Sequence, residues 1–97
     1  MQVAFPSPAL EELAEAALYY ERQRTGLGTE FLEEVDAFVQ MIAISPNRPR
    51  MRRRGYRRVN LRQFPFYIAY SIEGGGIVVL AIGHAARKPE YWIDRKP

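Results

Sequence analysis

The sequence predicts an α+β sandwich in the order strand, helix, helix, strand, strand, strand. A helical hairpin covers one face of a small, antiparallel-rich sheet. Three observations carry this prediction. Two stretches in the first half space their apolar residues by three and four, the helical period. Two later runs, Tyr67 to Ile72 and Ile77 to Ile82, are short, β-branched and aromatic, and Glu73-Gly74-Gly75-Gly76 between them has the composition of a hairpin turn. A length of 97 residues allows one domain, residues 1–97, with a single modest core.

Taken in order, Gln2-Val3-Ala4-Phe5 begins as a strand and Pro6 stops it. Proline has no N–H for a ladder, so this strand is expected to be brief and near an edge. Ser7 before Pro8 reads as an N-cap followed by the residue best suited to a first helical position, with Glu11 and Glu12 in the first turn at the positive end of the helix dipole. Leu10, Leu13, Ala14, Ala17, Leu18 and Tyr20 keep helical spacing, which predicts a helix from about Pro8 to Arg24, stopped by Gly26. Leu27-Gly28-Thr29 reads as a connection whose Thr29 caps a second helix. That helix carries Phe31, Leu32, Val35, Phe38, Val39 and Ile42, opens on Glu30, Glu33, Glu34 and Asp36, and ends at Ser45-Pro46. The apolar stripes of both helices are expected to pack on the sheet.

Asn47 to Gly55 has no apolar period and reads as a loop. Val59 and Leu61 alternate with Arg58, Asn60 and Arg62, the pattern of a half-buried strand, and Pro65 breaks the turn into the hairpin. Basic residues then stand at strand ends: Arg57, Arg58 and Arg62 before the hairpin, His84 and Arg87 after it. Glu90 to Arg95 forms a short aromatic tail, whose Tyr91 and Trp92 are expected to pack on the sheet, with base stacking as the alternative.

A hydrophobic share of 47% with 26% charged residues argues against wholesale disorder. Absence of cysteine excludes disulfides and thiolate chemistry, and one histidine with no carboxylate cluster predicts no metal site and no cofactor. Without a signal-like start or 18 successive apolar residues, the expected location is the cytoplasm, with no membrane partner. The net charge of +3 hides an asymmetry. Two Arg against eight acids give residues 1–44 a balance of −6, whereas twelve Lys and Arg against three acids give residues 45–97 a balance of +9. One face is therefore expected to meet an anion: nucleic acid first, an acidic protein segment or the chain's own acidic half as alternatives.

Eight arginines fall between positions 48 and 62: Arg48, Arg50, Arg52, Arg53, Arg54, Arg57, Arg58 and Arg62. Their planar forks match phosphate or carboxylate in two hydrogen bonds, and Tyr56 among them could stack on a base. His84 is the one side chain expected to titrate near neutrality, as a general acid or base or, more simply, as a hydrogen-bonding group that fixes the strand exit. Arg87 could stabilise charge developing on phosphate, bind phosphate passively or pair with Glu90.

These residues also carry a resemblance. Phe5, Ala9-Leu10-Glu11-Glu12-Leu13, Tyr19-Tyr20-Glu21, Gly26-Leu27-Gly28, Phe31-Leu32 and Val35 look like the opening of toxins of the RelE/ParE superfamily. The likeness continues through Arg57-Arg58 and Phe64-Pro65-Phe66-Tyr67-Ile68, then Val79 to His84, Arg87 to Trp92 and Arg95, and so covers essentially the whole chain. It implies a β-α-α-β-β-β fold and the toxin of a type II toxin–antitoxin pair, held in a hetero-oligomer by a cognate antitoxin. Members either cut messenger RNA on the ribosome (RelE-like) or poison DNA gyrase (ParE-like). In the nucleases the resemblance implies an Arg in the middle-hairpin strand, an Arg at the end of the last strand and a Tyr in the tail. Arg87 and Tyr91 match the last two, with His84 and Arg62 completing a nuclease set. The first falls on Tyr67, and the closing His-x-x-Arg-x-Pro-x-Tyr-Trp is closer to the ParE-like, plasmid-stabilisation branch, which implies gyrase inhibition and no catalytic set. Messenger-RNA cleavage and a non-toxic nucleic-acid-binding module are the alternatives.

Overall fold

A computed structural model describes residues 1–97. It orders them as β1 (Val3–Ala4), α1 (Ser7–Gln23), α2 (Leu27–Ile44), β2 (Arg57–Asn60), β3 (Phe66–Glu73) and β4 (Gly76–His84), with a 3-10 turn at Ile93–Arg95. This is the predicted α+β order. The strands form one mixed sheet, β1-β4-β3-β2, in which β1 runs parallel to β4 and the other pairs are antiparallel. β1 is two residues long and lies at an edge, as Pro6 demands. Gly74 and Gly75 turn the hairpin with φ of 54° and 83°, the two successive positive values that a two-residue connection needs to match strand twist.

Side-chain alternation divides the sheet into two faces. Ile68, Tyr70, Ile77, Val79 and Ile82 point toward the hairpin and pack with Phe31, Val35 and Ile42. Tyr67, Ala69, Leu80 and Ala81 point away and are closed over by Tyr56 and Trp92, because the tail returns across this second face. Between Ala69 and Tyr70 the pairing with β4 slips, from Ala81 to Val79, so Leu80 is the extra residue of a bulge.

The element ends depart from expectation. Helix α1 starts at Ser7 with Pro6 as its cap residue, so Ser7 caps nothing and the first turn holds no acid. Helix α2 starts at Leu27, two residues before Thr29, with Gly26 at φ 91°. The carboxylate of Glu21 supplies the cap from the preceding helix, accepting the N–H groups of Gly26 at 2.9 Å and Gly28 at 3.0 Å. Gly28 is not a connection but a helix–helix contact: a Cβ there would stand 2.5 Å from the Ala17 carbonyl oxygen. Arg57 is the first residue of β2, Arg58 lies inside the strand rather than at its end, and Leu61 is buried just beyond it. Nor does the sheet cover both helical stripes, since Leu10, Leu18 and Leu32 stay 52%, 52% and 43% exposed.

Candidate functional site

Beyond its two residues of pairing with β1, the outer edge of β4 has no strand beside it. Two side chains take the place of one. Glu12 Oε1 accepts the Ile82 N–H at 3.1 Å, and Arg95 donates to the Leu80 carbonyl at 3.1 Å. Arg95 also donates to both oxygens of Glu12, at 3.0 and 3.1 Å, and the Tyr91 hydroxyl donates to the same carboxylate. Beside this knot lies a pocket of about 230 Å³ lined by Glu12, Glu15, Phe66, His84, Arg87 and Tyr91.

Within the pocket, burial and then the bond to Glu12 push the Tyr91 hydroxyl well above its ordinary value. It is a donor there, not a base. The Arg87 guanidinium lies 3.7 Å from the Tyr91 ring centroid, a cation–π contact. Glu90, one of the alternatives offered for Arg87, instead accepts from the Tyr56 hydroxyl at 2.7 Å and from Arg54 at 3.4 Å. His84 Nδ1 accepts the Ala86 N–H at 2.9 Å while the ring meets Phe66 edge-on at 4.9 Å. The neutral ring therefore carries its proton on Nε2. Arg62 does not line this pocket; its own N–H and that of Gln63 are held by Glu34 on α2. Three of the four residues predicted for chemistry thus meet in one place, beside the carboxylates of Glu12 and Glu15.

The arginine segment separates by role. Arg57 donates to the Pro49 carbonyl at 2.6 Å and to Asn47, which ties the loop to β2. Arg58 bonds Asn60 through Nε and stacks 3.8 Å over the Tyr67 ring. Arg54 pairs with Glu90, and Arg52 is half-buried. Arg48, Arg50, Arg53 and Arg62 are exposed and make no ion pair. Only one ion pair, Arg95 to Glu12, joins the acidic first half to the basic second half. The chain therefore does not neutralise its own basic face.

Two expected roles change. Tyr56 is 4% exposed, edge-on to Trp92 and bonded to Glu90, so no base can reach its ring. Tyr67 is buried and accepts the Trp92 indole N–H at 2.8 Å. Its ring crosses Gly83, where any Cβ would collide with it. Trp92 packs on the sheet as predicted.

Sequence reasoning missed a second surface. Leu10, Leu13, Ala14, Leu18 and Leu32 line an open apolar groove of about 600 Å³ along the outer side of the hairpin. The signal was the width of the α1 stripe, which runs farther round the helix than one sheet contact can cover. No group of three His, Asp or Glu side chains is placed to hold a metal ion, and no helix is long and apolar enough to cross a membrane.

Residues 3–89 match the family model described as the ParE toxin of the type II toxin–antitoxin system, parDE. No curated protein matches the chain. Among solved structures, a chain of the chromosomal ParDE toxin–antitoxin system from P. aeruginosa superposes with a TM-score of 0.66 at 19% identity, covering 87% of this chain and 95% of that one. At that identity the likeness is one of fold.

Proposed function

The chain belongs to the ParE toxin family of type II toxin–antitoxin systems, and we propose that it arrests growth by inhibiting DNA gyrase in the cytoplasm, without catalysing a reaction, until a cognate antitoxin neutralises it. The family match over residues 3–89 carries this reading. The uncovered groove of Leu10, Leu18 and Leu32 supports the antitoxin part, because an amphipathic helix would bury what the sheet leaves open. The pocket chemistry supports a non-catalytic mode. A Tyr stands at the middle-strand position, and the Tyr91 hydroxyl is already committed to Glu12.

Ribosome-dependent messenger-RNA cleavage is the second reading, favoured by the meeting of His84, Arg87 and Tyr91 in one pocket. One experiment separates the two. The purified protein is added to a gyrase supercoiling assay and, in parallel, to translating ribosomes. Gyrase inhibition with intact message is expected, and a His84→Ala, Arg87→Ala double variant should remain toxic. Cut message that this double variant no longer produces would replace the gyrase reading with the nuclease one. A protein that arrests nothing would leave only a nucleic-acid-binding role.

A further inference from the structure

β2 is the far edge of the sheet, and its outer side is open. The Leu61 N–H bonds the Phe66 carbonyl, and the β2–β3 register pairs Val59 with Ile68 and Arg57 with Tyr70. Antiparallel ladders alternate, so these odd-numbered residues spend their backbone groups on β3 while Arg58 and Asn60 turn theirs outward. Tyr56, on the same phase, shows the consequence: its outward carbonyl accepts the Arg52 N–H at 2.7 Å. From Arg58 to Asn60 no such partner is present among the backbone bonds outside the regular elements. On the helix-facing side of this edge lies a mainly apolar hollow of about 290 Å³, lined by Met41, Ile44, Pro49 and Val59 with Ser45 and Arg48 among them, in which Ile44 is 82% exposed. On the other side stands Arg58, stacked over Tyr67, and Arg53 and Arg62 are exposed in the loops that flank β2.

We propose that this edge receives a short extended segment of alternating acidic and apolar residues, which pairs with β2 as a fifth strand. Its apolar side chains enter the Met41–Ile44–Val59 hollow and its carboxylates meet Arg58 and the neighbouring arginines. Strand alternation supplies the two-sided pattern, and charge decides the occupant. A second copy of this chain would bring like-charged arginine edges together, which disfavours self-pairing. Nucleic acid would use the cations and leave the hollow and the backbone groups unused. The proposal rests on the toxin–antitoxin reading, of which it gives a second partner contact besides the helical groove.

The test uses the full chain and synthetic probes, so its result does not depend on toxicity. A fluorescent peptide of about nine alternating Val and Glu residues is compared with two copies N-methylated at alternate residues in opposite phase, a Lys-for-Glu copy, and an oligo-dT of about twenty nucleotides. The parent peptide is expected to bind, one methylated phase at least about tenfold more weakly than the other, and the Lys copy not at all. Amide exchange at Arg58 and Asn60 should slow on binding while that of the α1–α2 groove stays unchanged. An Asn60→Pro variant, which removes one outward N–H, should weaken the parent peptide similarly; the methylated peptides keep the test valid if it misfolds. Equal binding of the two phases, protection at the groove instead, no binding, or binding of oligo-dT alone would each overturn the proposal. Gyrase inhibition persisting in that event would leave the toxin reading standing.

Discussion

The two faces of the sheet are closed by different physics. On the hairpin side, Phe31, Val35 and Ile42 meet β3 and β4 through apolar contact, with an aromatic cluster in which Phe31 lies 5.1 Å from Phe64 and 5.2 Å from Phe66. On the other side Tyr56 and Trp92 supply the cover, and directed bonds fasten it: Trp92 to Tyr67, Tyr56 to Glu90, Arg95 to Glu12. A periodic apolar face tolerates many substitutions of similar volume, whereas a fastened face depends on single atoms. Glu90 illustrates the dependence. It sits at φ 59°, a conformation costing a non-glycine on the order of 1 kcal/mol, and its bonds to Tyr56 and Arg54 offset that strain.

The largest expected effects set the two faces side by side. Phe31→Ala and Trp92→Ala each empty a fully buried aromatic site and should each cost about 3–5 kcal/mol in urea unfolding. If the fastened face belongs to the same cooperative unit, both variants unfold in one transition. A Trp92→Ala protein that loses under about 1 kcal/mol, with only the tail amides exchanging faster, would make the tail a separate attachment.

Glu12→Ala should come next. The change strands the Ile82 N–H, the Arg95 guanidinium and the Tyr91 hydroxyl together, and about 2–3 kcal/mol is expected, since the Glu12 side chain is 16% exposed and Arg95 30%. Glu12→Gln keeps an acceptor for Ile82 and should cost less. Equal stability of Glu12→Ala and the wild type would show that water replaces the carboxylate along the β4 edge.

What could be read in the sequence follows the same division. Helices and hairpin were legible because their signals are local: a 3.6-residue apolar period in α1 and α2, and successive glycines at Gly74 and Gly75. The fastened face was not legible, because its bonds join residues far apart. Arg95 and Glu12 are separated by 83 positions, and no spacing rule reaches that distance. Gly28 misled for a different reason. A glycine beside Gly26 has the look of a turn, but here it serves the approach of α2 to Ala17, which only packing reveals. At the candidate site, His84, Arg87 and Tyr91 were legible as residues, whereas the partners that set their chemistry, Ala86, Glu12 and the Tyr91 ring under Arg87, were not.

The smallest expected effect probes one bond of the fastened face through pH. Burial, aided by Glu12, raises the Tyr91 hydroxyl above the ordinary 10.0, so the folded chain keeps this proton where the unfolded chain releases it. Below pH 10 both states are protonated, and the group contributes no pH dependence. Above it the unfolded state binds fewer protons, so stability falls as pH rises toward the folded value. Tyr56, Tyr70 and Tyr20 are raised by burial in the same direction and add to the slope. Tyr91→Phe should therefore cost about 1 kcal/mol near neutrality and narrow its deficit as pH climbs past 10, because the wild type alone carries the Tyr91 part of the alkaline loss. Urea midpoints of the two proteins at about pH 8 and about pH 11 measure this. A deficit that stays constant would mean that Tyr91 ionises equally in both states, and the Glu12 bond would then be too weak to fasten the tail.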